Sequence, residues 1–231
     1  MILTILYEDN HLIAVDKPRG IPTQSDASGD PDMMTLVKEH LKEKHGKPGD
    51  AYLGLIHRLD RPVGGVLLFA KTSKAAARIT AAWQRDEVEK RYLTIARGLP
   101  VPAEGRLEHW LLKNTDRNLV SVCAPDTLGA KRALLEYRTL ATRDGLSLLA
   151  VTLLTGRSHQ IRVQLAAIGH PVVGEEKYGP KSGAPLSLLS LHAVSLRFDH
   201  PVRREPLQIC SRPPLLGPWS RFTDHIASFY E

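Results

Sequence analysis

Short runs of alternating apolar and polar residues recur along the chain, and they predict many β-strands joined by tight turns. The predicted strand regions are residues 2–7, 12–15, 52–60, 65–71, 90–97, 106–112, 119–124, 134–141, 146–155 and 186–198. Apolar residues spaced three and four apart predict helices over 35–44, from Thr72 or Ser73 onward, from Ser158 to Gly169, and around Trp219 to Phe229. Arg143-Asp144-Gly145 is a turn signal that predicts an antiparallel hairpin. This order of elements indicates an α+β fold with a largely antiparallel mixed sheet and flanking helices.

Nothing in the sequence predicts export, a membrane span or a disulfide framework. No stretch approaches the roughly 18 uninterrupted apolar residues of a membrane-spanning helix. The first residues lack the basic segment and small-residue cleavage site of a secretory signal, which indicates a cytoplasmic protein. Cys123 and Cys210 lie far apart and form no Cys-x-x-Cys pair, so neither a disulfide nor a thiolate zinc site is expected.

Charge is distributed unevenly along the chain, whose net charge is +6. The first 50 residues hold nine acidic and six basic residues, net −3, whereas the rest hold 16 acidic and 25 basic residues, net +9. Eighteen of those 25 are arginines, whose planar guanidinium binds phosphate or base edges through two hydrogen bonds. The excess predicts a polyanion-binding surface in the later part of the chain, although a solvated basic surface would give the same net charge.

The segment His57-Arg58-Leu59-Asp60-Arg61-Pro62 places one carboxylate between two arginines. In an extended chain Arg58 and Asp60 would share one face. A carboxylate between guanidiniums stays ionised, which suits a nucleophile or an essential base. A surface ion pair that contributes little free energy is the alternative interpretation of the same residues.

A second polar cluster, residues 155–162, reads Thr-Gly-Arg-Ser-His-Gln-Ile-Arg and joins a predicted strand to a predicted helix. Glycine allows close backbone approach, and the free N–H groups of a helix N-terminus attract anions. Arg157 projects from the turn, while His159 and Arg162 share a helix face. The cluster suits a phosphate or a carboxylate partner, and the alternative is a capped helix with a solvated basic face.

Other catalytic patterns are absent from the sequence. The ten histidines lack the spacing of a metal-binding motif, so no metal site is expected. No second carboxylate is evident beside Asp60 to complete the acid and base pair of a glycosidase. Gly64-Gly65 lacks the spacing of a phosphate-binding glycine loop.

Taken together, these segments resemble the RluA-type family of pseudouridine synthases over nearly the whole chain. Residues 15–20 look like that family's V-x-K-P-x-G motif, and residues 57–60 look like its H-R-L-D motif. Lys90-Arg91-Tyr92-Leu93 resembles the segment that carries the family's active-site tyrosine, and residues 155–162 resemble its T-G-R-x-H-Q-I-R motif. Three further segments complete the series: Gly169-His170-Pro171, residues 174–179, and Leu191-His192-Ala193 through His200-Pro201.

The resemblance implies an RNA-binding enzyme that isomerises uridines of rRNA or tRNA to pseudouridine. The bond from the ribose anomeric carbon to the uracil nitrogen breaks, the base turns, and a bond to carbon 5 forms, with neither cofactor nor metal. Asp60 would be the catalytic carboxylate, and the resemblance leaves open whether it attacks the sugar, adds to the ring or removes a ribose proton. Arg157 would pair with Asp60, and Tyr92 would stack on the extracted uracil, an interaction typically worth about 1–3 kcal/mol.

The family motifs also imply residues that bind the RNA. Extruding a stacked uridine costs a few kcal/mol, and Arg58 is expected to fill the space that the base leaves. The other expected substrate-binding residues are His57, His159, Gln160, Arg162 and Leu191.

The resemblance finally sets expectations for domain organisation. We expect one catalytic domain over residues 1–231 that acts as a monomer, with an RNA-binding cleft between the Asp60 and Arg157 turns. The small RNA-binding domain that many family members carry before it is not expected, and Pro62-Val63-Gly64-Gly65 stands where the family commonly has Thr-Ser-Gly. Two other functions are open: a non-catalytic RNA-binding or RNA-folding protein on the same fold, and a carboxylate-dependent glycoside or nucleoside hydrolase.

Overall fold

The described part of the chain divides into two compact units. In this computed structural model, residues 3–46, 52–180 and 189–231 are described. The first unit comprises residues 1–89 and 193–212, and the second comprises residues 90–192 and 213–231. The single catalytic domain expected over residues 1–231 stays a prediction.

The strands are β1 (Ile5–Glu8), β2 (Leu12–Lys17), β3 (Gly54–Leu55), β4 (Gly64–Ala70), β5 (Glu89–Arg97), β6 (Glu104–Asn114), β7 (Leu119–Cys123), β8 (Lys131–Arg143), β9 (Leu146–Leu153), β10 (Leu191–Asp199) and β11 (Pro206–Cys210). The helices are α1 (Met33–His45), α2 (Ser73–Gln84), α3 (Gln160–Ala167) and α4 (Thr223–Ser228), with a 3-10 helix at Gly217–Phe222. This content confirms the α+β fold, whereas the predicted RNA-binding cleft stays a prediction.

The first unit has the strand order β1-β2-β4-β10, with β3 beside β4 and β11 beside β10. The β1–β2, β2–β4, β3–β4 and β10–β11 ladders are antiparallel. Strand β4 is buried along its whole length, which explains its nearly continuous apolar run. Antiparallel pairing of β2 with β4 puts Lys17 directly opposite Gly65. That register brings Lys17, in the motif of residues 15–20, beside Gly65, which follows the motif of residues 57–60.

Both helices of the first unit begin at side-chain caps. The Asp32 carboxylate accepts a hydrogen bond from the Thr35 N–H at the start of α1. The Thr72 hydroxyl accepts one from the Ala75 N–H at the start of α2, which confirms the predicted cap. Helix α2 then packs Ala75 and Ile79 into the core of the first unit.

The second unit contains the antiparallel strand order β5-β9-β8-β6-β7. The predicted hairpin is confirmed between β8 and β9, where Asp144 and Gly145 both have positive φ angles of 51° and 70°. Two residues with positive φ form the kind of turn that matches the twist of antiparallel strands. Helix α3 places Val163 in a small core cluster with buried residues of β6, β7 and β8.

Two local predictions are wrong, and both fall at the candidate site. Residues 52–60 are not one extended strand, because only Gly54–Leu55 pairs with a neighbour. Helix α3 begins at Gln160 rather than being capped by Ser158, because His159 occupies the N-cap position with a left-handed backbone. The predicted end of this helix is confirmed by Gly169, whose φ is 84°. In both places tertiary hydrogen bonds, described below, override the local pattern.

Over the part of the chain that the structure describes, none of the helices is both long and apolar enough to cross a bilayer. Cys123 and Cys210 are both free thiols.

Candidate active site

Asp60 lies in a turn that precedes β4, and its backbone carbonyl accepts a 2.9 Å hydrogen bond from the Val63 N–H. Its side chain is half-buried, between the exposed Arg58 and Arg61 in the sequence. Leu59, directly before it, is buried. The turn therefore keeps one apolar anchor inside the unit while leaving the carboxylate partly accessible.

Thr23 holds the residue immediately before Asp60. Its hydroxyl donates to the Leu59 carbonyl at 2.8 Å and accepts from the Leu59 N–H at 3.2 Å. Thr23 is itself buried, so this pair of bonds is shielded from water. Both backbone groups of Leu59 are thereby satisfied by one side chain instead of a neighbouring strand.

Lys17 holds the residues that follow Asp60. Its Nζ donates to the carbonyls of Val63 at 2.8 Å, Arg61 at 3.1 Å and Pro18 at 3.1 Å. The side chain is fully buried. Burial lowers the pKa of the Lys17 ammonium to about 7, with the Asp60 carboxylate acting to raise it and Arg61 to lower it. By donating to the Arg61 and Val63 carbonyls, the Lys17 ammonium fixes the backbone that follows Asp60.

Lys17 and Thr23 were missed as site residues by reasoning from the sequence. Lys17 lies in the V-x-K-P-x-G motif, and a lysine that ends an apolar strand next to proline was an available signal. Thr23 offers no such signal, because a threonine in a polar loop is common and its partner is 36 residues away. Only the tertiary structure connects either side chain to Asp60.

His57 and Arg58, both expected to bind RNA, have different surroundings. The His57 Nε2 accepts a 3.1 Å hydrogen bond from the Leu68 N–H, and its ring stacks on Trp83 with centroids 4.6 Å apart. Arg58 is exposed. The geometry gives His57 a role in anchoring the segment to β4 and α2, and it leaves the Arg58 side chain at the surface.

Gly65 explains how the chain continues from the Pro62-Val63-Gly64-Gly65 segment into β4. Its φ is 113°, and a Cβ built on it would lie 2.2 Å from the Ala193 carbonyl oxygen. A side chain at this position would therefore collide with the backbone of β10. The segment that departs from the family pattern is thus closely packed.

Tyr92 and Arg157 belong to the second unit, whereas Asp60 belongs to the first. Tyr92 is half-buried on β5, opposite Val151 of β9. Alternation along the strand gives it the same face as Lys90 and Thr94, both buried. The predicted pairing of Arg157 with Asp60 and the stacking of Tyr92 on uracil stay predictions.

The Arg157 turn is shaped from inside by Gln160. The Gln160 Oε1 accepts from the Arg157 N–H at 2.9 Å and from the Thr155 hydroxyl at 2.8 Å. Its Nε2 donates to the Leu134 carbonyl at 2.9 Å. The Arg157 side chain is exposed, and its Nε donates to the Arg132 carbonyl at 2.9 Å. Gln160 therefore ties the turn to β8 while Arg157 lies on the surface.

The other predicted RNA-binding residues in the second unit are mostly internal. Arg162 forms a buried two-point ion pair with Glu175, with Nε–Oε2 and Nη2–Oε1 distances of 2.6 and 2.7 Å. Leu191 is buried at the start of β10. His159 is half-buried and has a left-handed backbone, with φ of 53° and ψ of 19°. Binding of RNA by these three residues stays a prediction.

Among the described residues, no cluster of three or more His, Cys, Asp or Glu side chains is placed to hold a metal ion. The arrangement that the structure does provide is a half-buried carboxylate on a turn fixed from both sides. Such a group can serve as a nucleophile or a base whose direction is set by the fold.

Comparisons with known proteins agree with these motifs. Residues 11–167 match the family model described as RNA pseudouridylate synthase. The chain is 33% identical to "Ribosomal large subunit pseudouridine synthase D" of Zymomonas mobilis, over 92% of this chain and 69% of the relative. It is 32% identical to "tRNA pseudouridine synthase C" of Pasteurella multocida, over 91% of each. The fold resembles that of "Human RNA Pseudouridylate Synthase Domain Containing 4", with a TM-score of 0.76, 23% identity and coverage of 97% and 92%.

Proposed function

Because the chain belongs to the RNA pseudouridylate synthase family, we propose that it isomerises specific uridines of rRNA or tRNA with Asp60 as the catalytic carboxylate. The reaction exchanges the bond from the ribose anomeric carbon to N1 of uracil for a bond to C5, and the proton on C5 is replaced by one on N1. No electrons are gained or lost overall. One carboxylate, held in a fixed direction, can therefore be sufficient as the covalent or proton-transfer group.

The support of the Asp60 turn is the observation that carries the proposal. Thr23 bonds both backbone groups of Leu59, and Lys17 bonds the carbonyls of Arg61 and Val63. Burying a lysine and a threonine is costly unless their polar atoms are bonded, and here those bonds converge on the residues around a single aspartate. Fixed orientation of a reacting group is a principal source of enzymatic rate enhancement.

Arg157 and Tyr92 complete the proposed machinery. Arg157 lies on a turn that Gln160 fixes, and its guanidinium is at the surface, where it can meet a carboxylate or a phosphate. Tyr92 projects from β5, which pairs with β9 at eight successive residues, so its ring is rigidly held for stacking on uracil. We assign Arg157 to orienting Asp60, and Tyr92 to holding the extruded base.

The RNA-binding assignments divide according to exposure. Arg58 is exposed, two residues from Asp60, and we assign it to the space vacated by the flipped uridine. His57, Gln160 and Arg162 donate or accept hydrogen bonds within the protein, and in addition to the RNA contacts expected of them we assign them to positioning the two turns. The relatives' names include a large-subunit rRNA enzyme and a tRNA enzyme, so both RNA classes are proposed substrates.

The test is to map pseudouridines in rRNA and tRNA from cells that lack this protein, and then to restore either the wild type or Asp60→Asn. We expect at least one pseudouridine to disappear and to return only with the wild type. In vitro, Asp60→Asn should lower the isomerisation rate by at least about 10²-fold, the lower range of losses for a group that transfers protons or attacks substrate.

Asp26→Asn serves as the matched control, because Asp26 is an exposed carboxylate of the same unit whose Oδ1 accepts from the Ser28 N–H and hydroxyl and which forms only a distant ion pair with Arg61. It should retain wild-type activity. Restoration of every site by Asp60→Asn would contradict the catalytic assignment. Release of free uracil or ribose by the wild type would instead favour the hydrolase.

A further inference from the structure

His159 has a backbone conformation that its side chain disfavours. Its φ of 53° and ψ of 19° lie in the left-handed region, where a Cβ crowds the following carbonyl oxygen. It stands at the N-cap of α3 without making a side-chain cap. Its own carbonyl nevertheless accepts the Val163 N–H at 3.0 Å and begins the helix. A neighbouring contact must therefore favour this conformation over the alternatives.

That conformation decides how the chain leaves Arg157. His159 is two residues from Arg157, and the Gln160 N–H donates to the Arg157 carbonyl at 3.3 Å. If residue 159 returned to a right-handed or extended backbone, the Gln160 side chain would move away from Arg157. Its Oε1 would then lose the hydrogen bond that it accepts from the Arg157 N–H. The backbone of His159 and the direction of the Arg157 turn are thus coupled.

Tyr178 supplies the neighbouring contact. Its hydroxyl makes a short hydrogen bond with the His159 Nδ1 and accepts from the Val120 N–H at 3.1 Å. The two rings are tilted with centroids 5.7 Å apart. One hydroxyl therefore connects the start of α3 to β7.

Tyr178 is itself held firmly in the second unit. The guanidinium of Arg162 lies 5.3 Å from the centre of the Tyr178 ring, within the range of a cation–π contact. Arg162 is fixed by its buried ion pair with Glu175, whose Oε1 also accepts the Lys177 N–H at 2.8 Å. Residues 175–178 therefore form a rigid support for the hydroxyl.

We infer that Tyr178 is a positioning residue for the isomerisation: by clamping His159 in its left-handed conformation, it aims the Arg157 turn. The inference rests on the proposed function, because it assigns Tyr178 a role through Arg157. Tyr178 acts on the turn through the protein and does not itself touch the substrate.

The first test compares two substitutions that both remove the imidazole. Glycine adopts the left-handed backbone without steric cost, whereas alanine does not. In single-turnover isomerisation we expect His159→Ala to be slower than His159→Gly by about fivefold or more. Equal rates for the two variants would overturn the inference, because a direct role of the imidazole on RNA would be lost equally in both.

The second test is Tyr178→Phe, which keeps the ring beside Arg162 and removes only the hydroxyl. On the wild-type background we expect the single-turnover rate to fall by about tenfold, with RNA affinity changed by less than about twofold. On the His159→Gly background the same substitution should change the rate by less than about twofold, because the clamp is no longer needed. An equal loss on both backgrounds, or no loss on either, would contradict the clamp.

Tyr7→Phe is the control, since the Tyr7 hydroxyl also makes two hydrogen bonds, to Asp9 and Arg203, in the first unit. It should leave the rate unchanged. If Tyr178→Phe fails to fold, the comparison of His159→Gly with His159→Ala still decides the question. An inactive wild type would count against the proposed function, whereas an active wild type with an unaffected Tyr178→Phe would count against the clamp alone.

Discussion

Lys17 illustrates how a single buried side chain organises the candidate site. It is a fully buried amine that contacts three backbone carbonyls, two of which belong to the turn containing Asp60. Breaking any of these contacts would leave a buried polar group without a partner, which costs roughly 1–3 kcal/mol. The same burial lowers the Lys17 pKa to about 7, so its protonation changes near neutral pH.

Lys17 should make stability depend on pH above neutrality. Folding lowers its pKa from 10.5 to about 7, so between these values the unfolded chain binds this proton more tightly. The free energy of unfolding should therefore rise as pH increases through this window, by as much as about 1.4 kcal/mol per pH unit.

The measurement that tests the Lys17 prediction is urea unfolding of the wild type and Lys17→Met at several pH values. Lys17→Met should be less stable throughout, and the difference between the two proteins should widen as pH rises. A difference that does not change with pH would show that folding leaves this pKa unaltered.

At the scale of elements, the β2–β4 ladder and the approach of β10 bring the candidate residues of the first unit together. The register pairs Lys17 with Gly65, and the start of β10 passes Gly65 so closely that no side chain fits. The cap of α2 and the β8–β9 turn were predictable because their signals lie within a few neighbouring residues. The start of α3 was not, because the left-handed backbone of His159 depends on Tyr178, 19 residues later.

Gly65→Ala should weaken both the fold and the activity. The new Cβ would meet the Ala193 carbonyl oxygen at 2.2 Å, and the positive φ adds strain. Overpacking and the left-handed backbone together predict a loss of about 3 kcal/mol in the free energy of unfolding. Gly29→Ala is the control, because Gly29 has a φ of 71° and nothing within 4 Å of its built Cβ, so only the strain applies. Chemical unfolding measures the loss of unfolding free energy in each variant. Equal losses would mean that the β10 backbone shifts to make room for the new methyl group at residue 65.

At the scale of the whole molecule, positive charge belongs mainly to the second unit. Residues 90–192 and 213–231 hold 15 basic and 10 acidic residues, which accounts for +5 of the net +6. The first unit is nearly neutral by the same count. RNA carries a phosphate at every nucleotide, so we expect the second unit to supply most of the electrostatic attraction.

RNA affinity should therefore depend steeply on salt. If about five phosphates are neutralised, the association constant should fall roughly 100-fold between about 50 and 200 mM monovalent salt. Replacing the exposed Arg117 and Lys131 of the second unit by alanine should lower this slope, whereas replacing the exposed Lys42 and Lys74 of the first unit should not. Filter binding or fluorescence anisotropy gives the slopes, and identical slopes for the two pairs would contradict the assignment to the second unit.

The sequence by itself determined the α+β class, the main strands and helices, the family and the candidate residues Asp60, Tyr92 and Arg157. Those features depend on local periodicity, on turn and cap chemistry, and on motifs that are contiguous in the chain. Only the tertiary structure decided what surrounds them: Lys17 and Thr23 around the Asp60 turn, and the bond from Gln160 to the Leu134 carbonyl at the Arg157 turn. Hydrogen bonds between residues tens of positions apart depend on strand register and burial, which no local pattern specifies.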